Sequence, residues 1–120
     1  MKYKIKLDFD NTVCHHKFPE IGEIVHPEIE TILKMFQDEG AEIHIYTMRY
    51  NFKNGTYEAA EAFLREHFPS INFFPQTEDK IEPKRVFGDN NTIYLDDVCE
   101  DAPRLDSGVF DWEKLKQIIK

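Results

Sequence analysis

The spacing of hydrophobic residues changes between two periods along the chain. From Tyr3 to Phe9 every second residue is apolar, which predicts a strand with one buried face. After Pro27 apolar residues recur every three or four positions as far as Gly40, which predicts an amphipathic helix that Pro27 begins and Gly40 ends. The same patterns predict further strands at Ile43–Tyr46, Ile71–Phe74 and Thr92–Leu95, a minimal strand at Val109–Phe110, and helices at about Thr56–His67 and Trp112–Ile119.

This alternation of strands and helices predicts an α/β fold with three layers. Helices are expected on both faces of a mostly parallel, Rossmann-like sheet, joined by right-handed crossovers. The 120 residues suffice for one hydrophobic core, and neither a linker nor a repeat divides them, so we expect a single domain over 1–120. In such sheets ligands bind beyond the carboxyl ends of the strands, which is where a functional site is expected.

Polar side chains follow three of the predicted strands. Asp8 and Asp10 come at the end of the first strand, Thr47 follows the second, and Asp96 and Asp97 follow the strand at 92–95. Because the carboxyl ends of parallel strands meet at one edge of a sheet, we expect these groups to share a cleft. Residues two apart in an extended segment point to the same side, so the first two carboxylates face this cleft together.

The segment Asp8-Phe9-Asp10-Asn11-Thr12 carries the most specific chemistry. Two neighbouring carboxylates repel each other, which favours a proton on one of them unless a cation shares the site. This arrangement suits phosphoryl transfer, in which one carboxylate attacks, the other carries a proton and Mg²⁺ offsets the charge. Alone, such a pair is more typical of a solvated acidic turn. The second pair, Asp96-Asp97, favours the functional interpretation.

Composition limits the partners. The formal net charge of −8 disfavours nucleic acid polymers and anionic membranes, because their phosphates require a basic surface. A small phosphorylated substrate remains compatible, since one lysine and a bound cation can reverse the potential in a pocket. The chain begins without an apolar run of signal-peptide or membrane-span length, and Cys14 and Cys99 do not make a disulfide framework. We therefore expect a cytoplasmic protein, with its oligomeric state left open.

These motifs resemble those of the haloacid dehalogenase-like (HAD) phosphatases. That superfamily carries an Asp-x-Asp-x-Thr motif, matched by Asp8 to Thr12, a Thr or Ser matched by Thr47, and a later acidic pair matched by Asp96-Asp97. The resemblance covers nearly the whole chain. Many members insert a cap domain after the first or second motif, but both segments are short in this sequence. The resemblance therefore implies a small, capless member of the superfamily.

The resemblance implies a role for each matched residue. Asp8 is expected to form an aspartyl-phosphate, Asp10 to act as general acid and base, and Thr47 to hydrogen-bond a phosphoryl oxygen. Mg²⁺ is expected on Asp8, Asp96 and the backbone carbonyl of Asp10, with Asp97 orienting a ligand or the site lysine. Further substrate contacts are expected from Asn11, Thr12, Met48 and Arg49. Arg49 is also compatible with a surface salt bridge.

A lysine that screens the attacking carboxylate is expected before the strand at 92–95. Lys84 fits best, because Lys84-Arg85-Val86-Phe87-Gly88-Asp89 resembles the corresponding stretch of deoxynucleotidase-type members. Lys80 is the alternative, and either is also compatible with a solvated surface lysine.

Two classes of function remain open. The first is a Mg²⁺-dependent phosphatase that hydrolyses a small phosphate monoester through an aspartyl-phosphate. The second is a catalytically silent protein of the same fold that binds a phosphate or nucleotide. Dehalogenation is less favoured, because a departing halide needs neither a proton nor Mg²⁺. Transfer to an acceptor other than water uses the same residues, and the substrate stays undetermined.

Overall fold

The computed structural model describes residues 3–89 and 91–119. Within them, parallel strands form one sheet in the order β3-β2-β1-β4, which confirms the predicted α/β fold. The strands are β1 (Lys4–Leu7), β2 (Glu42–Ile45), β3 (Phe73–Phe74) and β4 (Thr92–Leu95), and the helices are α1 (Ile29–Asp38), α2 (Arg49–Phe52), α3 (Thr56–His67) and α4 (Trp112–Ile118).

Helices α3 and α4 agree closely with the sequence prediction, whereas other elements differ from it. Helix α1 begins two residues after Pro27, and the single turn of α2 was not predicted because four residues carry no helical period. Phe110 makes one isolated bridge to Arg104 instead of the predicted strand. None of the helices within the described residues is long and apolar enough to cross a membrane.

The core lies on the face of the sheet that carries the odd-numbered residues of β1. Ile5, Leu7 and Phe9 are fully buried there among the apolar sides of the helices. The ring of Phe9 packs edge-on against Phe63 of α3, with centroids 5.8 Å apart. Two successive right-handed crossovers, from β1 to β2 and from β2 to β3, place α1 and α3 on this same face.

On the opposite face, the described residues of the segment 75–91 form the third layer, and they contain no helix. This segment connects β3 to β4 in the reverse direction across the sheet, so a right-handed crossover must pass over the other face. The Tyr46 hydroxyl accepts a hydrogen bond from Ile81 N at 3.0 Å, and a Cβ on Gly88 would overlap the Tyr94 ring. The described part of the segment is irregular, since Pro75 and several charged residues replace the apolar period of a helix.

The direction in which successive strands are added to the sheet reverses beside β1. The crossover from β1 goes to one side of the sheet, whereas β4 lies on its other side. A crevice therefore opens between the carboxyl ends of β1 and β4, the position where open α/β sheets bind ligands.

Candidate active site

Asp8 and Asp96 follow β1 and β4 directly, and both are buried at this crevice. The ammonium of Lys80 lies between them, with Nζ 3.1 Å from Asp8 Oδ1 and 2.6 Å from Asp96 Oδ2. The side chain of this lysine is 2% exposed. The site thus holds a buried cation between two buried carboxylates, one from each strand.

The lysine beside Asp8 is Lys80, which the sequence analysis gave as the alternative. The preferred residue for this position, Lys84, does not lie there. Lys84 is exposed, and its carbonyl accepts a hydrogen bond from Glu100 N at 2.8 Å. The Asn51 side chain holds Lys80 in place: its Oδ1 accepts from Lys80 N at 2.7 Å, and its Nδ2 donates to Lys80 O at 3.0 Å. This pairing fixes the backbone so that the lysine side chain enters the crevice.

The charges of the site shift the pKa values of its members. Burial and the carboxylate of Asp96 raise the pKa of Asp8 well above its ordinary value, although Lys80 opposes the shift. Burial alone would lower the pKa of Lys80, but the carboxylates of Asp8 and Asp96 outweigh it and raise the pKa above that of an ordinary lysine. Burial raises the pKa of Asp97 as well. The site therefore carries more negative charge than one lysine offsets.

These carboxylates fit a hard divalent cation. Asp8, Asp96 and Asp97 each offer an oxygen atom within 4.8 Å of the others. Among the described residues Asp96 Oδ2 accepts no hydrogen bond of good geometry, although the Lys80 ammonium is near it. An all-oxygen donor set with surplus negative charge is what Mg²⁺ and similar cations prefer. Asp97, which we expected to orient a ligand or the lysine, thus belongs to the cluster that could hold the cation.

Thr12 is placed as a partner of the carboxylates and not at the pocket surface. Its fully buried hydroxyl lies 3.0 Å from Asp8 Oδ2 and 3.2 Å from Asp97 Oδ1, and it accepts a hydrogen bond from Asp97 N. Its carbonyl accepts a bond from Trp112 Nε1 at 2.6 Å. The expectation that Thr12 touches substrate is wrong in this structure, because the turn after Phe9 folds it inward; it orients Asp8 and Asp97 instead.

Thr47 lines the pocket as predicted, and an unpredicted residue holds it. Thr47 N donates to Gln76 Oε1 at 2.8 Å, while Thr47 Oγ1 accepts from Arg49 N at 3.2 Å. Gln76 is buried, and its own N donates to the Tyr57 hydroxyl at 2.7 Å. No period or motif distinguishes this glutamine in the sequence, so it was missed.

Arg49 is buried and clamps Asp10, contrary to the surface salt bridge that the sequence left open. Its Nε and NH2 groups donate to the two oxygens of Asp10 at 2.9 and 2.8 Å. The same guanidinium donates to the carbonyls of Pro19 and Glu20 at 3.0 and 2.8 Å. It also lies 5.1 Å from the centroid of the Phe18 ring. Arg49 thereby connects the first motif to the loop that follows it.

A cavity of about 340 Å³ opens above these groups. Its inner part is polar and includes Asp8, Thr47 and Lys80, whereas its outer part is formed by exposed or half-buried side chains. Asn11 also lines it, at a backbone φ of 62° that Asn tolerates better than most residues. The outer side chains are His16, Phe18, Met48, Phe52, Glu82 and Val98, which include Met48, an expected substrate contact.

Comparison with known proteins supports the fold alone. A solved structure described as a conserved protein coded by a locus from Bacteroides thetaiotaomicron aligns with a TM-score of 0.62 and 23% identity, over 99% of this chain and 90% of that chain. No family model and no curated protein matched the sequence. The shared architecture agrees with the Rossmann-like sheet described above, while the chemistry of the site must be argued from its residues.

Proposed function

We propose that this protein is a Mg²⁺-dependent phosphatase of the HAD type that hydrolyses a phosphate monoester through an aspartyl-phosphate on Asp8. The observation that carries the proposal is the buried Lys80 between Asp8 and Asp96 at the switch point of the sheet. A carboxylate must approach an anionic phosphoryl group closely in order to attack it, and a fixed cation beside it reduces their repulsion. Because Cys14 and Cys99 are both free, we keep the cytoplasm as the proposed location.

The residues divide the reaction into two displacements. In the first, an oxygen of Asp8 forms a bond to phosphorus while the bond to the leaving oxygen breaks, and that oxygen takes up a proton. In the second, water attacks phosphorus, loses a proton and releases Asp8 and inorganic phosphate. Thr12 fixes the Asp8 carboxylate, and the Thr47 hydroxyl lines the wall where phosphoryl oxygens would lie. Mg²⁺ held by Asp8, Asp96 and Asp97 would offset the combined charge of carboxylates and phosphate.

Asp10 lines the cavity, and we propose it as the general acid, but in this conformation its carboxylate is bound to Arg49. Both of its oxygens accept hydrogen bonds from Arg49. To give a proton to the leaving oxygen, and later to take one from water, Asp10 must release at least one of these bonds. The proposed reaction therefore requires the pair to loosen once substrate is bound.

The same observation supports a second candidate, a protein that binds phosphorylated compounds without turning them over. If the two bonds between Arg49 and Asp10 persist, the site keeps a buried lysine and a carboxylate cluster that could hold a cation, but Asp10 cannot act as the proton donor. Such a site would hold a phosphate monoester and release it unchanged.

Hydrolysis of acetyl phosphate and p-nitrophenyl phosphate by the full chain tests these alternatives. We expect phosphate release with Mg²⁺, its loss in EDTA, and its absence in Asp8→Asn. Mass spectrometry of acid-quenched wild-type protein should find one added phosphoryl group on the peptide containing Asp8, and none in the variant. Saturable binding of inorganic phosphate without turnover of either compound would favour the second candidate. Neither turnover nor binding would overturn both.

A further inference from the structure

The outer part of the candidate pocket is an aromatic and apolar rim, formed by Phe18, Met48, Phe52 and Val98. The rings of Phe18 and Phe52 lie with their centroids 5.3 Å apart and their planes inclined by 55°. Phe52 is nevertheless 51% exposed, and Met48 and Val98 are exposed as well. Large apolar side chains left open around a polar pocket floor are typical of a surface that a ligand covers.

The charged groups of the pocket restrict what else a ligand can carry. Of the described residues that line the cavity, the lysine and arginine cations are Lys80 and Arg49. Lys80 forms ion pairs with Asp8 and Asp96, and Arg49 forms one with Asp10. At the rim, Glu82 adds a negative charge. One phosphoryl group can meet Lys80 on the floor, whereas a second anionic group at the rim would meet the Glu82 carboxylate. Among the described lining residues no further lysine or arginine lies there to pair with it, and the remaining basic side chain is His16.

We propose that the substrate is a monophosphate ester whose leaving group is uncharged and carries a planar unsaturated ring that stacks on the rim. This inference rests on the proposed function for the reaction, but the preference for a ring concerns binding and can be measured separately. Phosphate on the floor directs the ester group outward, towards Phe18 and Phe52. Two sources supply this chemistry, a nucleoside monophosphate and an aryl phosphate such as phosphotyrosine.

A matched pair of substrates isolates the ring of a nucleotide. Uridine 5′-monophosphate and ribose 5-phosphate have the same kind of leaving hydroxyl and differ in the base, so leaving-group chemistry does not confuse their comparison. Stacking predicts that kcat/KM for the nucleotide exceeds that for the sugar phosphate on the order of tenfold. Uridine 3′,5′-bisphosphate should react about fivefold or more slowly than the monophosphate, because the Glu82 carboxylate at the rim repels its second phosphate. Equal values for uridine 5′-monophosphate and ribose 5-phosphate would overturn the nucleotide form of the proposal.

Two phenylalanine variants locate the effect. Phe52→Leu keeps an apolar side chain but removes the ring, and we expect it to bring the ratio of kcat/KM between nucleotide and sugar phosphate towards one. Phe87→Leu is the matched control, since Phe87 is 71% exposed and lies outside the pocket lining. The control should keep the wild-type ratio. A ratio that falls equally in both variants would contradict a specific role for the rim.

Binding to the Asp8→Asn variant separates this inference from the proposed reaction and distinguishes the two sources. With Mg²⁺ present, calorimetry should give tighter binding of uridine 5′-monophosphate than of ribose 5-phosphate if the ring comes from a nucleotide. Tighter binding of N-acetyl-phosphotyrosine amide than of N-acetyl-phosphoserine amide, without the nucleotide preference, would assign an aryl phosphate. No preference in either pair overturns the ring proposal even if the wild type hydrolyses acetyl phosphate. A ring preference without turnover in the wild type overturns the phosphatase and keeps the ring.

Discussion

Replacing Lys80 by methionine removes the cation between Asp8 and Asp96 while it keeps a long apolar side chain. Both carboxylates remain buried, with the nearest positive charge gone. Breaking a buried ion pair by removing one partner typically costs about 3–5 kcal/mol in the free energy of unfolding. Lys84→Met is the matched control from the same segment, and its exposed position predicts a change of about 0.5 kcal/mol or less.

The pH and Mg²⁺ dependence of this cost identify its cause. The raised pKa of Lys80 means that its stabilising effect is complete below the ordinary lysine pKa and is lost only as pH rises through the raised value, so neutral pH reports it in full. In Lys80→Met the deficit should shrink on acidification, because protonation of Asp8 removes one of the two unpaired charges. Bound Mg²⁺ should stabilise the variant itself by about 2.7 kcal/mol at a hundred times its dissociation constant. Because the wild type gains in the same way, the deficit shrinks only as far as the variant binds the cation more tightly.

Urea unfolding followed by circular dichroism supplies the free energies, with and without Mg²⁺. In parallel, kcat/KM for p-nitrophenyl phosphate should fall on the order of 10²-fold or more in Lys80→Met and stay near wild type in Lys84→Met. Equal stability of the two variants at neutral pH would refute the account of the buried charges. A stable Lys80→Met protein with full activity would also remove the lysine from the proposed mechanism.

Two further predictions concern the carboxylates of the first motif. Because burial and Asp96 raise the pKa of Asp8, its contribution to the stability of the metal-free protein is present below the ordinary aspartate pKa and is lost as pH rises through the raised value. As pH rises through this range, the free energy of unfolding should therefore fall in the wild type and change less in Asp8→Asn. If the two proteins showed the same dependence on pH, the raised pKa of Asp8 would be contradicted. Arg49→Lys cannot reproduce the paired bonds to Asp10, so trypsin should cut after the exposed Lys17 faster than in the wild type. Peptide mass spectrometry measures the rate of this cleavage. Arg65→Lys is the control, because Arg65 forms an exposed ion pair, and it should not accelerate the cleavage. Equal rates in both variants would exclude a role of Arg49 in holding the loop.

The sequence was informative wherever a residue's position follows from the regular sheet. Asp8, Thr47 and Asp96 each follow a strand, and parallel strands with right-handed crossovers bring such positions to one edge. Hydrophobic period alone was sufficient to place these strands. The convergence of the three side chains was therefore predictable without knowing any contact between them.

The lysine was not predictable in this way because it lies in an irregular segment. Lys80 is fixed by Asn51, 29 residues earlier, and the neighbouring Ile81 by the Tyr46 hydroxyl, 35 residues earlier. Long-range hydrogen bonds of this kind leave no period in the sequence. Matching to a family motif favoured Lys84 on its distance from Gly88 and Asp89, which does not determine which side chain turns inward.

Arg49 shows the same limit for a charged residue, since arginine is normally exposed. It is buried because two carbonyls from residues 19–20 and both oxygens of Asp10 satisfy its donors. Those partners lie 29 to 39 residues away, in a loop without a regular pattern. Burial of this residue could be recognised only once the loop was placed.

Asp10 is the residue at which the two candidate functions diverge. The proposed roles of Asp8, Lys80 and the carboxylate cluster suit a phosphatase and a phosphate-binding protein equally well, because all of them act on the charge of the phosphoryl group. Proton transfer to the leaving oxygen serves catalysis alone, and the residue placed to perform it is held at both oxygens by Arg49. The loop that contributes Pro19 and Glu20 to this arginine also carries Phe18 of the pocket rim. A ligand that stacks on Phe18 would therefore contact the loop whose carbonyls bind Arg49, beside the hydrogen bonds that restrain Asp10.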